Sequence, residues 1–299
     1  MRKYLGRLIA LVFLLALALG VLALRGYTVL QANVPVPQVA AADFAQMHQQ
    51  AQKKAARAAY TTENVRSVGS RELTAARVQY NASWRQWAIG VLSIPSVAVD
   101  QPVLAGMTET NLLNGVATYN AKERMGQGNF ILSSHNMVGA EMLLNPISGV
   151  QAGAPIYLTD WRRVYVYKAT VNQVVDEHAI QYLAQPRTGQ PVVTLMRCSG
   201  GYDTPYRRIV QGRLTKTMTM AAAMGDKSIG QHLGLVAAPA KPHGQLRFGW
   251  LDQVSLRVCQ AFLSAPGWWL AALAVIVLGL IGTHWPGRKP VGPQAVSRG

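Results

Sequence analysis

Charge is scarce in this chain: only 14% of its 299 residues are Asp, Glu, Lys or Arg, against roughly 25% in an ordinary soluble domain. Half of the residues are hydrophobic, so the deficit points to membrane-embedded sequence. Cysteine is scarcer still. Two thiols rule out a disulfide-stapled scaffold and a cysteine-rich zinc or iron–sulfur site. Acidic residues number 13 against 29 basic ones, for a formal charge of +16. That excess lies on the flanks. Residues 1–81 carry a net +7, residues 82–215 a net +3 and residues 216–299 a net +6. A nucleic-acid binder concentrates its cations on the folded domain, with aromatic residues between them; basic flanks beside apolar runs face anionic lipid or polyanionic wall material. Nucleic acid is therefore not an expected partner.

The apolar residues are concentrated in two runs. Leu8 to Leu24 holds no charge and follows Arg2, Lys3 and Arg7. It exceeds the roughly 7–15 apolar residues of a cleaved secretory signal, which favours an uncleaved signal anchor. Ala261 to Thr283 is also uncharged, with Trp268 and Trp269 near one end and Trp285 at the other, as in a span with interfacial aromatic belts. Arg288 and Lys289 follow it. The positive-inside rule then puts both termini in the cytoplasm of a plasma-membrane protein, and residues 26–260 on the outer face. The expected organisation is a signal anchor over 1–25, a partly helical stalk over 26–81, a β domain over 82–215, a juxtamembrane linker over 216–260, a second span over 261–285 and a cytoplasmic tail over 286–299.

In the stalk, Ala40 to Ala59 is alanine-rich and reads as a helical spacer or packing arm with Phe44, Met47, Ala51 and Ala55 on one face. From Trp87 the texture becomes β-like. Short alternating or β-branched runs appear at Ala88–Ile94, Val97–Leu104, Asn129–Ser134, Pro155–Leu158, Val164–Val175, Val192–Arg197 and Arg207–Leu214, punctuated by Gly, Pro, Asn and Asp. Such a pattern predicts an all-β barrel or sandwich. Thr108–Val116 and Ala140–Leu144 read as short helices between strands, and Met218–Met224 as another.

Cys198 ends the run Val192–Arg197 and opens onto Ser199-Gly200-Gly201, a placement that holds a thiol firmly yet leaves it accessible. Cys259, in Val258-Cys259-Gln260, reads as a small buried hydrophobe. A reactive thiol needs a partner that stabilises its thiolate. His135 closes the apolar run Phe130–Ser134, with His178 as its rival in Asp176-Glu177-His178. Arg207 and Arg208 begin the last strand, where alternation lets only one of the two face a given site. Thiolate, imidazole and guanidinium together fit nucleophilic acyl transfer: attack on a carbonyl, protonation of a leaving amine and stabilisation of an oxyanion.

Three stretches carry a family resemblance. Met125–Met137 resembles the histidine region of class A sortases of Gram-positive bacteria, Thr194-Leu195-Met196-Arg197-Cys198 resembles their TLxTC signature, and Arg207–Leu214 resembles their arginine strand. The resemblance covers about residues 82–215 and keeps the order His, Cys, Arg. It implies an eight-stranded sortase-type β-barrel with short helices, here flanked by two transmembrane helices. It also implies a thiol-dependent transpeptidase that cleaves LPxTG-type sorting signals between Thr and Gly and passes the surface protein to the amine of a peptidoglycan precursor. By carry-over Cys198 is the nucleophile, His135 the general acid/base and Arg207, two positions before Ile209, the oxyanion and substrate clamp. Thr194, Met196, Ser133 and Arg197 fall where the family lines its substrate groove.

Two features depart from that pattern. Arg197 replaces the threonine before the cysteine, where it either lowers the thiol's pKa or points away from the site. The second apolar run is similar to that of class C pilin polymerases, which use a lysine acceptor, yet no Asp-Pro-aromatic triplet of their lid occurs before residue 130. A catalytically idle scaffold with the same barrel is the further alternative. No cofactor is expected and nothing in the sequence supports calcium modulation; Glu141 and Asp160 are the carboxylates available to a metal.

Overall fold

The computed structural model describes residues 2–34, 36–61, 67–186, 189–238, 248–265 and 267. The chain opens with helix α1 (Arg2–Gln31), and β1 (Val39–Ala40) follows a short extended stretch. Three helices come next: α2 (Phe44–Arg57), α3 (Ser70–Val78) and α4 (Tyr80–Trp87). Strands β2 (Ala88–Ile94) and β3 (Val99–Leu104) lead to helix α5 (Glu109–Asn114). Then come β4 (Val116–Thr118), β5 (Asn129–Ser133), β6 (Pro155–Thr159), β7 (Arg163–Asp176), β8 (Val192–Cys198) and β9 (Tyr206–Thr219). Helices α6 (Met220–Gly225) and α7 (Lys227–His232), strand β10 (Leu235–Val236) and helix α8 (Trp250–Ser264) complete it.

Eight strands close into a barrel in the order β2-β3-β4-β5-β8-β9-β7-β6. Two of its pairings, β3 with β4 and β5 with β8, are parallel and the rest antiparallel. Successive side chains on a strand alternate between faces. In β5 and β8 the alternation sends Phe130, Leu132, Val193 and Leu195 inward to meet Val103, Ile156, Tyr167 and Val210 in the barrel core. Antiparallel neighbours connect through tight turns. The β2–β3 turn runs through Pro95–Val97 and closes at Ala98 in the left-handed region, at φ 52°. The parallel β3–β4 step needs a crossover, which α5 supplies, its first turn capped by the Thr108 hydroxyl accepting from the Asn111 amide.

The helices build two further clusters outside the barrel. Phe44 and Ala51 of α2 pack with Trp84, Ala88, Val91 and Trp161, so the alanine-rich arm lies on the barrel instead of projecting from it. Its Lys54 is buried and donates to the Ala88 carbonyl at 3.1 Å; burial, with Arg57 nearby, lowers its pKa to about 8. Beside them α3 and α4 occupy a stretch whose sequence carries little helix signal. They bury Leu73, Ala76 and Tyr80 against Leu30 of α1, Leu256 of α8 and Met137, Met142 and Leu143 of the β5–β6 connection.

Among the described residues α1 is the one helix long and apolar enough to cross a membrane: the most apolar 18-residue stretch within Gly6–Gln31 has a mean hydropathy of 2.7 and is unburied. Its C-terminal end is not free. Helix α8 runs along it, Arg25 pairs with Asp252 at 2.7 Å, and Gly26 lies so close that a Cβ there would meet the Ser255 carbonyl oxygen at 2.2 Å and the Cys259 Cβ at 2.7 Å. The expected second span, with Trp268, Trp269 and Trp285, lies almost wholly outside the described residues, as does His243 in the preceding linker.

Candidate active site

Hydrogen-bond register decides which side chains share a surface. In β5 and β8, Ile131 opposes Thr194 and Ser133 opposes Met196; in β8 and β9, Thr194 opposes Gln211, Met196 opposes Ile209 and Cys198 opposes Arg207. Opposed residues point the same way. Ser133, Thr194, Met196, Cys198 and Arg207 therefore lie on the outer face, back to back with the core residues Leu132, Leu195 and Val210. His135 lies just past the end of β5. The Ser134 amide donates to the Met196 carbonyl at 3.2 Å, and the Asn136 side-chain amide donates to the Gly200 carbonyl at 3.0 Å. Those two ties, one on either side of His135, carry the β5–β8 alignment on past Ser133 towards the end of β8 that bears Cys198.

Cys198 is free and half-buried, whereas Cys259 is buried against α1. His135 is only 6% exposed. Desolvation lowers its pKa to about 4, and its Nε2 is buried with no hydrogen-bond partner among the described residues. Burial thus keeps this imidazole neutral and weakens it as a base, so taking up a proton there calls for a compensating anion close by. The rival His178 is exposed and bonded to its own neighbour, Nδ1 to Asp176 Oδ1 at 2.6 Å, while His48 and His232 are engaged with Asp160 and Asp100.

Arg207 is held at three points. Nη1 donates to the carbonyls of Thr204 at 2.7 Å and Tyr206 at 3.1 Å, and Nη2 donates to Glu177 Oε2 at 2.5 Å. Glu177, whose amide donates to the Pro205 carbonyl at 2.7 Å, ties the β7–β8 connection to the turn that follows Cys198. Arg208 lies on the opposite face, where its Nη1 donates to Asn172 Oδ1 at 3.2 Å. Alternation thus separates the two adjacent arginines, and the one beside the thiol is Arg207.

The four groove residues divide. Met196 is half-buried and Ser133 buried on the Cys198 face. Thr194 shares that face but is wholly covered. Its hydroxyl donates to Asn129 Oδ1 at 2.7 Å and accepts from Gln211 Nε2 at 3.0 Å, beneath a segment whose Tyr182 carbonyl also accepts from Asn129 and Gln211. Arg197 points the other way. Its guanidinium donates to the carbonyls of Leu144, Asn145 and Cys198, a placement that a one-letter motif does not reveal.

Glu177, Asn136, Asn145 and Asn172 were not singled out by the sequence, because the groups they hold lie far along the chain. The only sequence cue was the adjacency of Glu177 to His178. Asp160 accepts from the amides of Arg162 and Arg163 at the β6–β7 turn, and the Glu141 carbonyl accepts from the Asn33 side chain at 3.1 Å. Among the described residues no group of three or more His, Cys, Asp or Glu side chains could hold a metal ion.

Comparison with known proteins gives the family. A family profile described as Sortase domain matches residues 92–215. The chain is 32% identical over 139 residues to sortase A of Listeria monocytogenes, covering 46% of this chain and 62% of that protein. It is 36% identical over 134 residues to sortase A of Bacillus anthracis, covering 44% and 62%. It spans less than two thirds of the length of those two relatives. The crystal structure of Listeria monocytogenes sortase A aligns with 31% identity and a TM-score of 0.45 over 52% of this chain and 99% of that one. Sortase A of Streptococcus agalactiae serotype III is 30% identical over 182 residues, covering 59% of this chain and 70% of that protein. By that relative, and by a profile that falls on the strands bearing Cys198 and Arg207, the chain belongs to the sortase family.

Proposed function

We propose that the protein is a membrane-anchored cysteine transpeptidase that cleaves LPxTG-type sorting signals between Thr and Gly and joins the surface protein to an amine of a cell-wall precursor. The observation that carries this reading is the pairing of Cys198 with Arg207 across β8 and β9; the ties of Ser134 and Asn136, the neighbours of His135, to Met196 and Gly200 support the role given to His135. In the first half-reaction the thiol proton passes to His135 and Sγ attacks the threonine carbonyl carbon. Arg207 faces the oxygen that gains charge. Collapse of the tetrahedral adduct breaks the C–N bond, and His135 returns the proton to the leaving glycine amine. In the second half-reaction an acceptor amine attacks the thioester, its proton goes to His135 and then to sulfur, and the thiol is regenerated. The thioester conserves the energy of the cut amide, so ligation outside the cell needs no nucleotide. In this reading α1 is the anchor, the uncharged run after α8 is a second span, both termini are cytoplasmic, and Ser133 and Met196 contribute to the groove, with Thr194 supporting it from beneath.

The test uses the full chain in detergent with a quenched LPxTG peptide, with and without an amine. Wild type is expected to cleave and to show an acyl adduct on Cys198 by mass spectrometry, and Cys198→Ala to do neither. Absence of both from wild type refutes the enzyme reading in favour of an idle scaffold. A preference for a pilin lysine over a glycine-type amine refutes wall anchoring in favour of pilus assembly. Arg207→Ala is expected to lose about 10²–10³ in rate, as for removal of an oxyanion donor, while Arg208→Ala retains turnover; the reverse order refutes the assignment of Arg207.

A further inference from the structure

We propose that Arg197 is a positioning residue that holds the histidine loop, residues 134–145, against the strand end that carries Cys198. The inference rests on the transpeptidase reading for its kinetic consequence but not for its structural content. Arg197 opposes Arg208 in the β8–β9 ladder, one position out of phase with Cys198, so its side chain leaves the face on which the thiol lies. Its guanidinium is spent on three backbone carbonyls and one side-chain amide oxygen. Nε donates to the Leu144 carbonyl at 3.1 Å, Nη2 to the Asn145 carbonyl at 3.1 Å, and Nη1 to the Cys198 carbonyl at 2.8 Å and to Asn136 Oδ1 at 3.4 Å. One planar fork thus touches the residue after His135, the far end of the same loop and the backbone of the nucleophile itself.

The loop is built to be held this way. The Leu144 amide donates to Ser134 Oγ at 3.3 Å, which draws its two ends together, and the Asn145 side chain donates to the carbonyls of Met137 and Ala140. A second arginine repeats the device one step on. Arg208 donates to Asn172 Oδ1, and Asn172 Nδ2 donates to the carbonyls of Ile147 at 3.0 Å, Ser148 at 3.1 Å and Val150 at 2.7 Å. Threonine, the residue of the TLxTC pattern, is too short to reach Leu144 or Asn145 from this strand position. Lysine carries one nitrogen on a flexible stem and does not reproduce a fork of fixed geometry. Both ends of the His135 loop therefore depend on the guanidinium shape and not merely on positive charge.

A rival role, in which the Arg197 charge favours the thiolate of Cys198 directly, makes a different forecast, and the test separates the two. The full chain in detergent is compared with Arg197→Lys and Arg197→Met by amide hydrogen exchange over 134–145, by the pH dependence of Cys198 alkylation with iodoacetamide in a Cys259→Ser background, and by kcat and KM for an LPxTG peptide per titrated thiol. Both variants are expected to speed exchange of the loop about tenfold or more, to leave KM within about twofold and to lower kcat about 10–10²-fold, the scale of a displaced catalytic group. The alkylation profile is expected to stay in place. Exchange unchanged in both variants overturns the proposal. So does rescue of kcat by Arg197→Lys together with a displaced alkylation profile in Arg197→Met, which assigns the role to charge. Should Arg197→Met not fold, Arg197→Lys alone decides by the same criteria. Loop exchange is read whether or not the peptide is cleaved, so failure of the transpeptidase reading shows as an inactive wild type and leaves the Arg197 result standing.

Discussion

Replacing Glu177 by alanine removes one of the three acceptors that fix Arg207, and the structure sets the size of the effect. The Glu177 and Arg207 side chains are 40% and 24% exposed, so water screens the pair and its direct electrostatic worth is at most about 1 kcal/mol. The carbonyls of Thr204 and Tyr206 continue to hold Nη1. What is lost is the restraint on Nη2, and re-ordering a freed, rotamer-rich side chain in the transition state costs about 0.5–1.5 kcal/mol. At about 1.4 kcal/mol per tenfold, kcat/KM should fall roughly 2- to 10-fold, far short of the loss expected for Arg207→Ala. Glu177→Gln keeps an acceptor at the same reach and should recover most of the rate. The assay is steady-state cleavage of a quenched peptide by wild type, Glu177→Ala, Glu177→Gln and Arg207→Ala, at low and high salt. A loss in Glu177→Ala as deep as that of Arg207→Ala would mean that the carboxylate itself takes part in the chemistry. A gain would mean that it competes with substrate for the guanidinium. Either outcome refutes the claim that Glu177 orients Arg207.

Two further outcomes follow from burial and from close packing. His135 titrates near 4 in the folded protein because burial disfavours its charged form, against about 6.5 unfolded. The unfolded chain then binds the extra proton between those values, so this group's stability contribution is present above about pH 6.5 and is lost as pH falls towards 4. Glu123 acts in the opposite sense: burial raises its pKa to about 7 even though its carboxylate accepts from the Ile131 amide, and its contribution is lost as pH rises towards 7. Glu123→Gln should therefore steepen the rise of stability between about pH 4.5 and 6.5, read from denaturant midpoints; an unchanged slope would show that Glu123 is not raised. At the helix pair, Gly26→Leu should cost about 1–3 kcal/mol by overpacking and open Cys259, which is 3% exposed, to maleimide in a Cys198→Ala background. Continued protection of Cys259 would contradict the α1–α8 packing.

The barrel strands were legible because their signal is local. Ala88–Ile94 alternates and is bounded by a proline turn, and Val192–Arg197 is a β-branched and apolar run that ends at a glycine pair. Cys198 and His135 stood out because each closes such a run. The face occupied by Arg197 was not legible, since alternation separates neighbours but does not say which of them turns inward. Nor were the side chains that hold the site in place. Glu177 meets Arg207 across 30 positions and Arg197 meets Asn136 across 61, and such partners become neighbours only when the barrel closes. The short helix expected at Ala140–Leu144 is a turn instead. Leu143 adopts φ 54°, and the Asn145 side chain occupies the Ala140 carbonyl that a helix would use internally, together with that of Met137. Helices α3 and α4 escaped notice because what stabilises them is tertiary: Arg77 and Tyr80 are fully buried, and Phe248, 168 positions beyond Tyr80, meets its ring edge-on at 5.4 Å.

The last turns of α1 share one cluster with α8, with α3 and α4 and with the segment just past His135, so no slack tether separates the apolar helix from that loop. If α1 sits in a bilayer as proposed, the Cys198 sulfur rides at a set altitude and heading over the lipid headgroups, like an instrument on a fixed post. On the transpeptidase reading, searching would then be left to the incoming chains, whose sorting signals would have to stretch to that altitude.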